Sequence, residues 1–109
     1  MNLFEKYLKS LESGDPEKMA SLFTEDALFY DEGPVKMGGE PIHLKGRGKI
    51  MALYQQAFSF NGGPLFATNV VINGNAMRYD IRIGEILYLA LSQMKEENGL
   101  IAEYRVNVI

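Results

Sequence analysis

The chain has 109 residues, of which 47% are hydrophobic and 23% are charged, and its formal net charge is −3. These values predict a single domain, residues 1–109, with one hydrophobic core, and an acidic chain without a Lys/Arg cluster argues against nucleic acid as a partner. The absence of cysteine excludes disulfides and thiolate chemistry, and a lone histidine argues against a metal site. We therefore expect neither a metal nor a cofactor.

The N-terminal segment is predicted to form two helices. Apolar residues recur at intervals of three and four, as on one face of an amphipathic helix, at Leu3, Phe4, Tyr7, Leu8 and Leu11. Gly14 ends this helix, and Asp15 followed by Pro16 is typical of the start of another. The apolar residues of that second helix are expected to be Met19, Ala20, Leu22 and Phe23, with residues 24–26 closing it.

A strand, a loop and a third helix are predicted next. Residues 27–31 form the strand, and five glycines with two prolines make residues 32–48 a loop that could contain a short hairpin. Apolar residues at helical spacing mark a third helix around residues 50–58, which Asn61, Gly62, Gly63 and Pro64 end.

The remainder is predicted to be strands, at residues 66–72, 77–83, 85–94 and 100–109. Asn73 and Gly74 signal a hairpin turn, and residues 77–83 alternate between apolar and charged side chains. Residues 85–94 are apolar on both faces, so something should pack on each face. Because Leu87, Leu89 and Leu91 face away from the helices, we expect a homodimer through this side of the sheet.

This order of elements predicts an α+β domain in which helices cover one side of an antiparallel sheet. A concavity between helices and sheet is the default place for a small molecule. No apolar run approaches the roughly 18 residues of a membrane span, and charged Glu5 and Lys6 in the first turns do not suit a secretory signal. We expect a cytoplasmic protein that has no membrane partner.

Tyr7 and Asp31 are the strongest candidates for chemistry. A phenol and a carboxylate that share a pocket can move a proton on a carbonyl compound, the phenol holding the oxygen and the carboxylate carrying the proton. Asp31 shares a strand face with apolar Ala27 and Phe29, which would raise its pKa toward that of a useful general base. The alternatives are that Tyr7 is a core tyrosine and that Asp31 caps an exposed turn before Gly33.

The chain resembles the NTF2-like, or SnoaL-like, superfamily over nearly its whole length. The resemblance rests on three segments: residues 7–15, residues 22–27 and residues 46–54. Within that superfamily the chain is most similar to the ketosteroid isomerases. The resemblance implies a cone-shaped, cystatin-like α+β fold, with three N-terminal helices packed on a curved antiparallel sheet around a central pocket. One such fold hosts many chemistries.

The resemblance also implies roles for individual residues. Tyr7 matches the tyrosine of the isomerase oxyanion hole, Asp31 its catalytic aspartate, and Tyr54 a second tyrosine that supports the first. Ser92 stands where the isomerases carry a protonated aspartic acid, and losing one such donor costs about 10²–10³ in rate. The loop of residues 32–45 is also longer than expected, so a steroid substrate is disfavoured.

We therefore predict an isomerase-like enzyme that binds a small apolar carbonyl compound. Two alternatives stay open at this point: a non-catalytic ligand-binding or dimerisation domain, and a SnoaL-like cyclase, dehydratase or hydrolase. In the last of these, His43 could reach over the pocket mouth. The side chains expected to line the pocket, beside Tyr7 and Asp31, are Phe29, Tyr88, Met94 and Phe58.

Overall fold

The first helix, α1, spans Leu3–Ser13 in a computed structural model that describes residues Met1–Ile109. Asn2 caps it: its side chain accepts from the Glu5 N–H, and the Glu5 side chain accepts from the Asn2 N–H. Gly14 ends it in a left-handed conformation, at φ 65°. The predicted helix is confirmed, with Phe4, Tyr7 and Leu11 on its buried face.

The second helix, α2, is one short turn, Pro16–Ala20, capped by the Asp15 carboxylate. The prediction that it continued through Phe23 was wrong, because Phe23 opens strand β1, Phe23–Asp31. The register of β1 shifts between Phe23 and Leu28, so residues 24–26 form an irregular stretch of strand rather than the end of a helix. The Arg47 guanidinium holds this stretch by donating to the Phe23 carbonyl at 2.7 and 3.0 Å.

The glycine-rich segment contains more structure than a loop. A 3₁₀ helix, Gly33–Met37, follows β1 directly, and strand β2, Ile42–Lys45, then pairs antiparallel with β1. Helix α3, Arg47–Asn61, follows and ends at Gly62 in a left-handed conformation. The predicted third helix is confirmed. The loop itself contains no hairpin, because its single strand, β2, pairs with β1.

Four strands complete the fold: β3, Ala67–Asn73; β4, Ala76–Ile83; β5, Ile86–Glu97; and β6, Leu100–Val108. The six strands form one curved sheet in the order β2-β1-β6-β5-β4-β3. Neighbouring strands are antiparallel except β1 and β6, which are parallel, so the sheet is mixed. The predicted α+β class with helices on one face is confirmed, whereas the prediction that the sheet is antiparallel throughout was wrong, because β1 and β6 are parallel.

The hydrophobic core lies between the helices and the concave face of the sheet. Alternation places Met77, Tyr79 and Ile81 of β4 on this face and leaves Arg78 and Arg82 outside. On β6 the same alternation buries Tyr104 completely. None of the three helices is both long and apolar enough to cross a membrane.

Candidate active site

A cavity of about 180 Å³ opens between α1, α3 and the concave face of the sheet. Of its 19 lining residues, 16 are hydrophobic, and no Lys, Arg or His is among them. Its charged group is the Asp31 carboxylate, and its hydroxyls belong to Tyr7, Tyr54, Tyr79 and Tyr88. Such a site suits an apolar ligand that carries one or two polar atoms.

Tyr7 and Tyr54 meet inside this cavity. Each lies on the buried stripe of its helix, Tyr7 on α1 and Tyr54 on α3, and their hydroxyl oxygens are 2.6 Å apart. Their rings make an edge-on contact with centroids 6.1 Å apart. Burial raises the pKa of both phenols well above the usual value, so both stay neutral and can donate a hydrogen bond.

Asp31 ends β1 and turns its carboxylate into the cavity. Burial raises its pKa to about 6, against the lowering effect of a hydrogen bond from Gly33. Its charge in turn raises the pKa of Tyr54, Tyr79 and Tyr88, for each of which burial is the larger cause. The carboxylate and these phenols therefore act on one another across the same space.

The local structure holds Asp31 in place. Its Oδ1 accepts the Gly33 N–H at 2.7 Å, which is an Asx turn, while no hydrogen bond from the chain reaches Oδ2. A Cβ at Gly33 would lie 3.1 Å from Oδ1 and 3.7 Å from the Tyr88 ring, so glycine leaves room here. An Asx turn at Asp31 is thus compatible with a role as a base: Oδ1 anchors the side chain, and Oδ2 accepts no hydrogen bond from the chain.

Ser92 does not reach the cavity. It is completely buried, and its hydroxyl donates to the Met77 carbonyl at 3.4 Å. Tyr79 of β4 and Ala90 of β5 are opposite each other, and they mark the end of the cavity along these two antiparallel strands. Ser92 is one inward-facing position further along, opposite Met77, where packed side chains fill the space. The predicted role of Ser92 as a weak second donor was wrong.

The other predicted lining residues divide evenly. Phe29 and Tyr88 line the cavity, whereas Met94 and Phe58 do not. Met94 lies beyond Ser92 on β5, opposite Tyr104, so it packs in the core. Phe58 is buried on α3, where its ring contacts Tyr54 at a centroid distance of 6.2 Å.

His43 lies on the outer side of the sheet. Because Ile42 lines the cavity, alternation along β2 turns His43 the opposite way. Its ring contacts Tyr30, with centroids 4.8 Å apart, and the Arg105 guanidinium covers the same tyrosine. A role for His43 at the pocket mouth was therefore a wrong prediction.

Two tyrosines outside the predicted set, Tyr79 and Tyr104, extend the cluster of buried tyrosines around Tyr7, and of these two only Tyr79 lines the cavity. Tyr79 of β4 lines it, and its hydroxyl lies 3.4 Å from that of buried Tyr104 on β6. The Tyr104 ring also packs against Tyr7 at 4.7 Å. Alternation along β4 places Tyr79 on the apolar face, but that pattern does not distinguish a core tyrosine from one whose hydroxyl meets a cavity.

The apolar patch on the convex face of β5 is exposed. Leu87 and Leu91 keep 42% and 40% of their surface, and Leu89 is half-buried. A homodimer through this patch stays a prediction.

No protein-family model matches the chain, and no curated protein matches its sequence. Solved structures do match its fold. A provisionally assigned ketosteroid isomerase from Kribbella flavida superposes with a TM-score of 0.70 at 18% identity, over 98% of this chain and 75% of that one. An NTF2-like protein of unknown function from Cytophaga hutchinsonii gives 0.72 at 16% identity, over 98% and 87%.

A provisionally assigned polyketide cyclase from Pseudomonas putida gives a TM-score of 0.75 at 15% identity, over 98% of this chain and 91% of that one. The chain therefore has the NTF2-like, cone-shaped α+β fold that ketosteroid-isomerase-like and SnoaL-like proteins share. The resemblance seen in the sequence is confirmed at the level of the fold, which by itself leaves the chemistry open.

Proposed function

We propose that this protein binds a small, neutral, apolar carbonyl compound and moves a proton at the carbon next to the carbonyl, as a ketosteroid-isomerase-like enzyme. The observation that carries the proposal is one carboxylate with a pKa near 6 in the same apolar cavity as a hydrogen-bonded pair of neutral phenols. A base whose pKa lies close to neutrality is well matched to proton transfer.

Each residue has a distinct part in the step. The free oxygen of Asp31 takes the proton from carbon, the C–H electron pair moves into a carbon–carbon double bond, and the carbonyl oxygen becomes an enolate. Tyr7 donates a hydrogen bond to that oxygen, and Tyr54, 2.6 Å away, orients Tyr7. Asp31 then gives a proton back. If the carboxyl has first exchanged its proton with solvent, return to the original carbon exchanges that C–H; return to a conjugated carbon isomerises the compound.

The lining of the cavity supports this substrate class. With no cation in the cavity, a carboxylate or phosphate ligand would be buried beside Asp31 without a partner, which is costly. Because 16 of the 19 lining residues are hydrophobic, the ligand should be apolar around its carbonyl group.

The test is enzyme-catalysed deuterium exchange, followed by NMR, on a panel of cyclic and β,γ-unsaturated ketones in D₂O. We expect the wild type to exchange the protons next to the carbonyl, with a rate that rises with pH through about 6 as Asp31 loses its proton. Asp31→Asn should lower this exchange rate by a factor of about 10²–10⁴. Glu32→Gln, the matched change one residue along, should retain it; full exchange by folded Asp31→Asn would refute the proposal.

A second candidate is non-catalytic binding of a small alkylammonium cation. A carboxylate that shares a cavity with the aromatic rings of Phe29, Tyr54 and Tyr88 could also bind such a cation, since no basic residue lines the cavity. A protein of ketosteroid-isomerase-like fold from Catenulispora acidiphila, with a TM-score of 0.69 and 12% identity over 96% of this chain and 83% of that one, was solved in complex with trimethylamine.

Calorimetric titration with trimethylammonium chloride separates the two candidates. Binding that lowers the NMR-measured pKa of Asp31, in a protein without exchange activity, would favour the cation. A cyclase that removes a proton next to a carbonyl would use the same Asp31 and Tyr7. The histidine-assisted versions of that alternative gain no support from His43, which lies outside the cavity.

A further inference from the structure

A ligand oxygen in this cavity needs a second hydrogen-bond donor besides the Tyr7–Tyr54 pair. A carbonyl oxygen has two lone pairs, and one left without a partner in an apolar site costs binding free energy. Ser92 cannot supply the second donor because it lies outside the cavity. The backbone is no better placed, because the amide groups of the lining strands are used in the sheet.

The second pair of phenols in the fold is arranged to fill this need. Tyr79 projects from β4 into the cavity, while its partner Tyr104 on β6 is fully buried and does not line it. Their hydroxyls are 3.4 Å apart, against 2.6 Å for Tyr7 and Tyr54. Among the buried phenols that line the cavity, Tyr79 therefore has the longest hydroxyl contact, and a ligand could draw its hydroxyl inward at little cost.

Counting hydrogens gives the same answer. When two hydroxyls bond to each other, one hydrogen is used and the other remains available. The Tyr7–Tyr54 pair thus offers one hydrogen to the cavity. The Tyr79–Tyr104 pair offers another, and Tyr79 alone of that pair lines the cavity. The buried phenols of the cavity thus have two hydrogens available, which match the two lone pairs of one carbonyl oxygen; Tyr88, which also lines the cavity, is not among the buried residues.

We propose that Tyr79 is the second donor to the ligand oxygen, so that one oxygen is held between the hydroxyls of Tyr7 and Tyr79. This inference deepens the proposed function and rests on it. A phenol takes the place that a protonated carboxylic acid would otherwise fill, and Tyr104 acts as a positioning residue behind it.

Burial raises the pKa of Tyr79 well above its usual value, and the charge of Asp31 adds to this effect. The phenol consequently keeps its proton throughout the neutral range and remains a donor. A neutral donor also adds no second negative charge to the cavity beside the Asp31 carboxylate.

The probe for this inference is 2-naphthol, whose oxygen imitates an enolate and whose fluorescence reports both binding and ionisation. We expect Tyr79→Phe and Tyr7→Phe each to weaken binding of 2-naphthol by about 10- to 100-fold and to lower the ionised fraction of the bound probe. Tyr30→Phe, which removes a hydroxyl on the outer side of the sheet, should bind as the wild type does.

Because both donors would meet one oxygen, the two losses should not add in the double variant. Tyr79→3-fluorotyrosine guards against a variant that folds poorly, since it keeps the shape and strengthens the donor. It should raise the ionised fraction of bound probe, whereas a purely structural Tyr79 would leave that fraction unchanged.

The inference would be overturned if Tyr79→Phe bound 2-naphthol with the same affinity and the same ionised fraction as the wild type. It would also be overturned if the wild-type protein did not bind 2-naphthol. The titration needs no turnover, and Asp31→Asn can be titrated in parallel. A protein that lacks exchange activity but needs Tyr79 to hold the naphthol oxygen would refute the proposed function while leaving the assignment of Tyr79 intact.

Discussion

Asp31 and Glu32 are consecutive carboxylates whose pKa values move in opposite directions. Asp31 faces the apolar cavity, where burial raises its pKa to about 6. Glu32 lies outside it and accepts hydrogen bonds from the Val108 N–H and the Tyr30 hydroxyl, which lower its pKa. One step along the backbone separates a group that can act as a base near neutrality from one that is fixed as an anion.

The same division separates the tyrosines. Tyr7, Tyr54, Tyr79 and Tyr104 are buried and linked to one another by hydroxyl contacts. Tyr30, on the outer side, donates to Glu32 and lies beneath the Arg105 guanidinium at 4.4 Å. The cavity side brings together neutral donors and a single base, whereas the outer side satisfies its polar groups locally.

The largest difference in exchange rate is expected between a variant that lacks a phenol of the cavity side and one that lacks a phenol of the outer side. We expect Tyr7→Phe to lower the rate of deuterium exchange by about 10²–10³, because one donor to the developing oxyanion is lost. Tyr30→Phe, the matched change outside, should leave the rate unaltered. Equal rates for both variants would end the functional distinction between the two sides.

Truncation of apolar residues tests the same contrast in stability. Ile101 of β6 is completely buried, and Ile101→Ala should lower the free energy of unfolding by about 2–5 kcal/mol. Leu91→Ala on the convex face should change it by less than about 0.5 kcal/mol in a monomer. Both are measured by urea denaturation at several protein concentrations.

The same measurement tests the predicted homodimer. If the outer patch forms it, the urea midpoint of the wild type will rise with protein concentration, and Leu91→Ala will weaken that dependence.

The effect of Asp31 on stability should depend on pH. Its folded pKa is raised, so the folded state holds the proton more tightly, and stability falls as the pH rises from about 4 through 6. Asp31→Asn should therefore be more stable than the wild type by about 1–3 kcal/mol at pH 7.5, and the difference should vanish near pH 3.5. Glu32→Gln should act in the opposite sense, since the pKa of Glu32 is lowered. Thermal unfolding from pH 3.5 to 8 measures both, and a pH-independent difference for Asp31→Asn would mean that its carboxyl is not buried in solution.

The smallest effect is expected at the 3₁₀ helix beside the cavity mouth. Lys36 donates to the Leu87 carbonyl at 2.9 Å and lies over the Tyr88 ring. Lys36→Met should leave global stability nearly unchanged but speed amide exchange at Gly38 and Gly39 by about two- to threefold, because an exposed hydrogen bond contributes little. Lys9→Met, an exposed lysine on α1, is the control. Unchanged exchange in Lys36→Met would mean that this bond does not restrain the segment.

Local pattern was sufficient for much of the fold. The stripe on α1, the Gly14 stop and the alternation along β4 each depend on neighbouring residues, and each was predicted correctly. The parallel pairing of β1 with β6 could not be predicted in this way, because it joins segments more than 70 residues apart. Phe23 was misassigned for a related reason: its carbonyl is held by Arg47, from a different element.

The site shows the same limit. The inward direction of Asp31 follows from alternation with Phe29, so sequence reasoning reached it. How deep the cavity extends does not follow from alternation. The depth of the cavity decides that Tyr79 lines it while Ser92, one inward position beyond Ala90, does not. The direction of His43 depends on the register of the short hairpin, which the glycines and prolines of the loop do not specify.

The position of β6 has a consequence for the order of folding. It is the only strand that joins the β1–β2 hairpin to β5, and through β5 to the strands beyond. Asp31 and Tyr79 therefore come to face each other only after β6 has been inserted between the two halves of the sheet. Such long-range closure is slow compared with forming hairpins and helices. The cavity should thus be among the last features to assemble, after the α1 helix and the β4–β5 hairpin already exist.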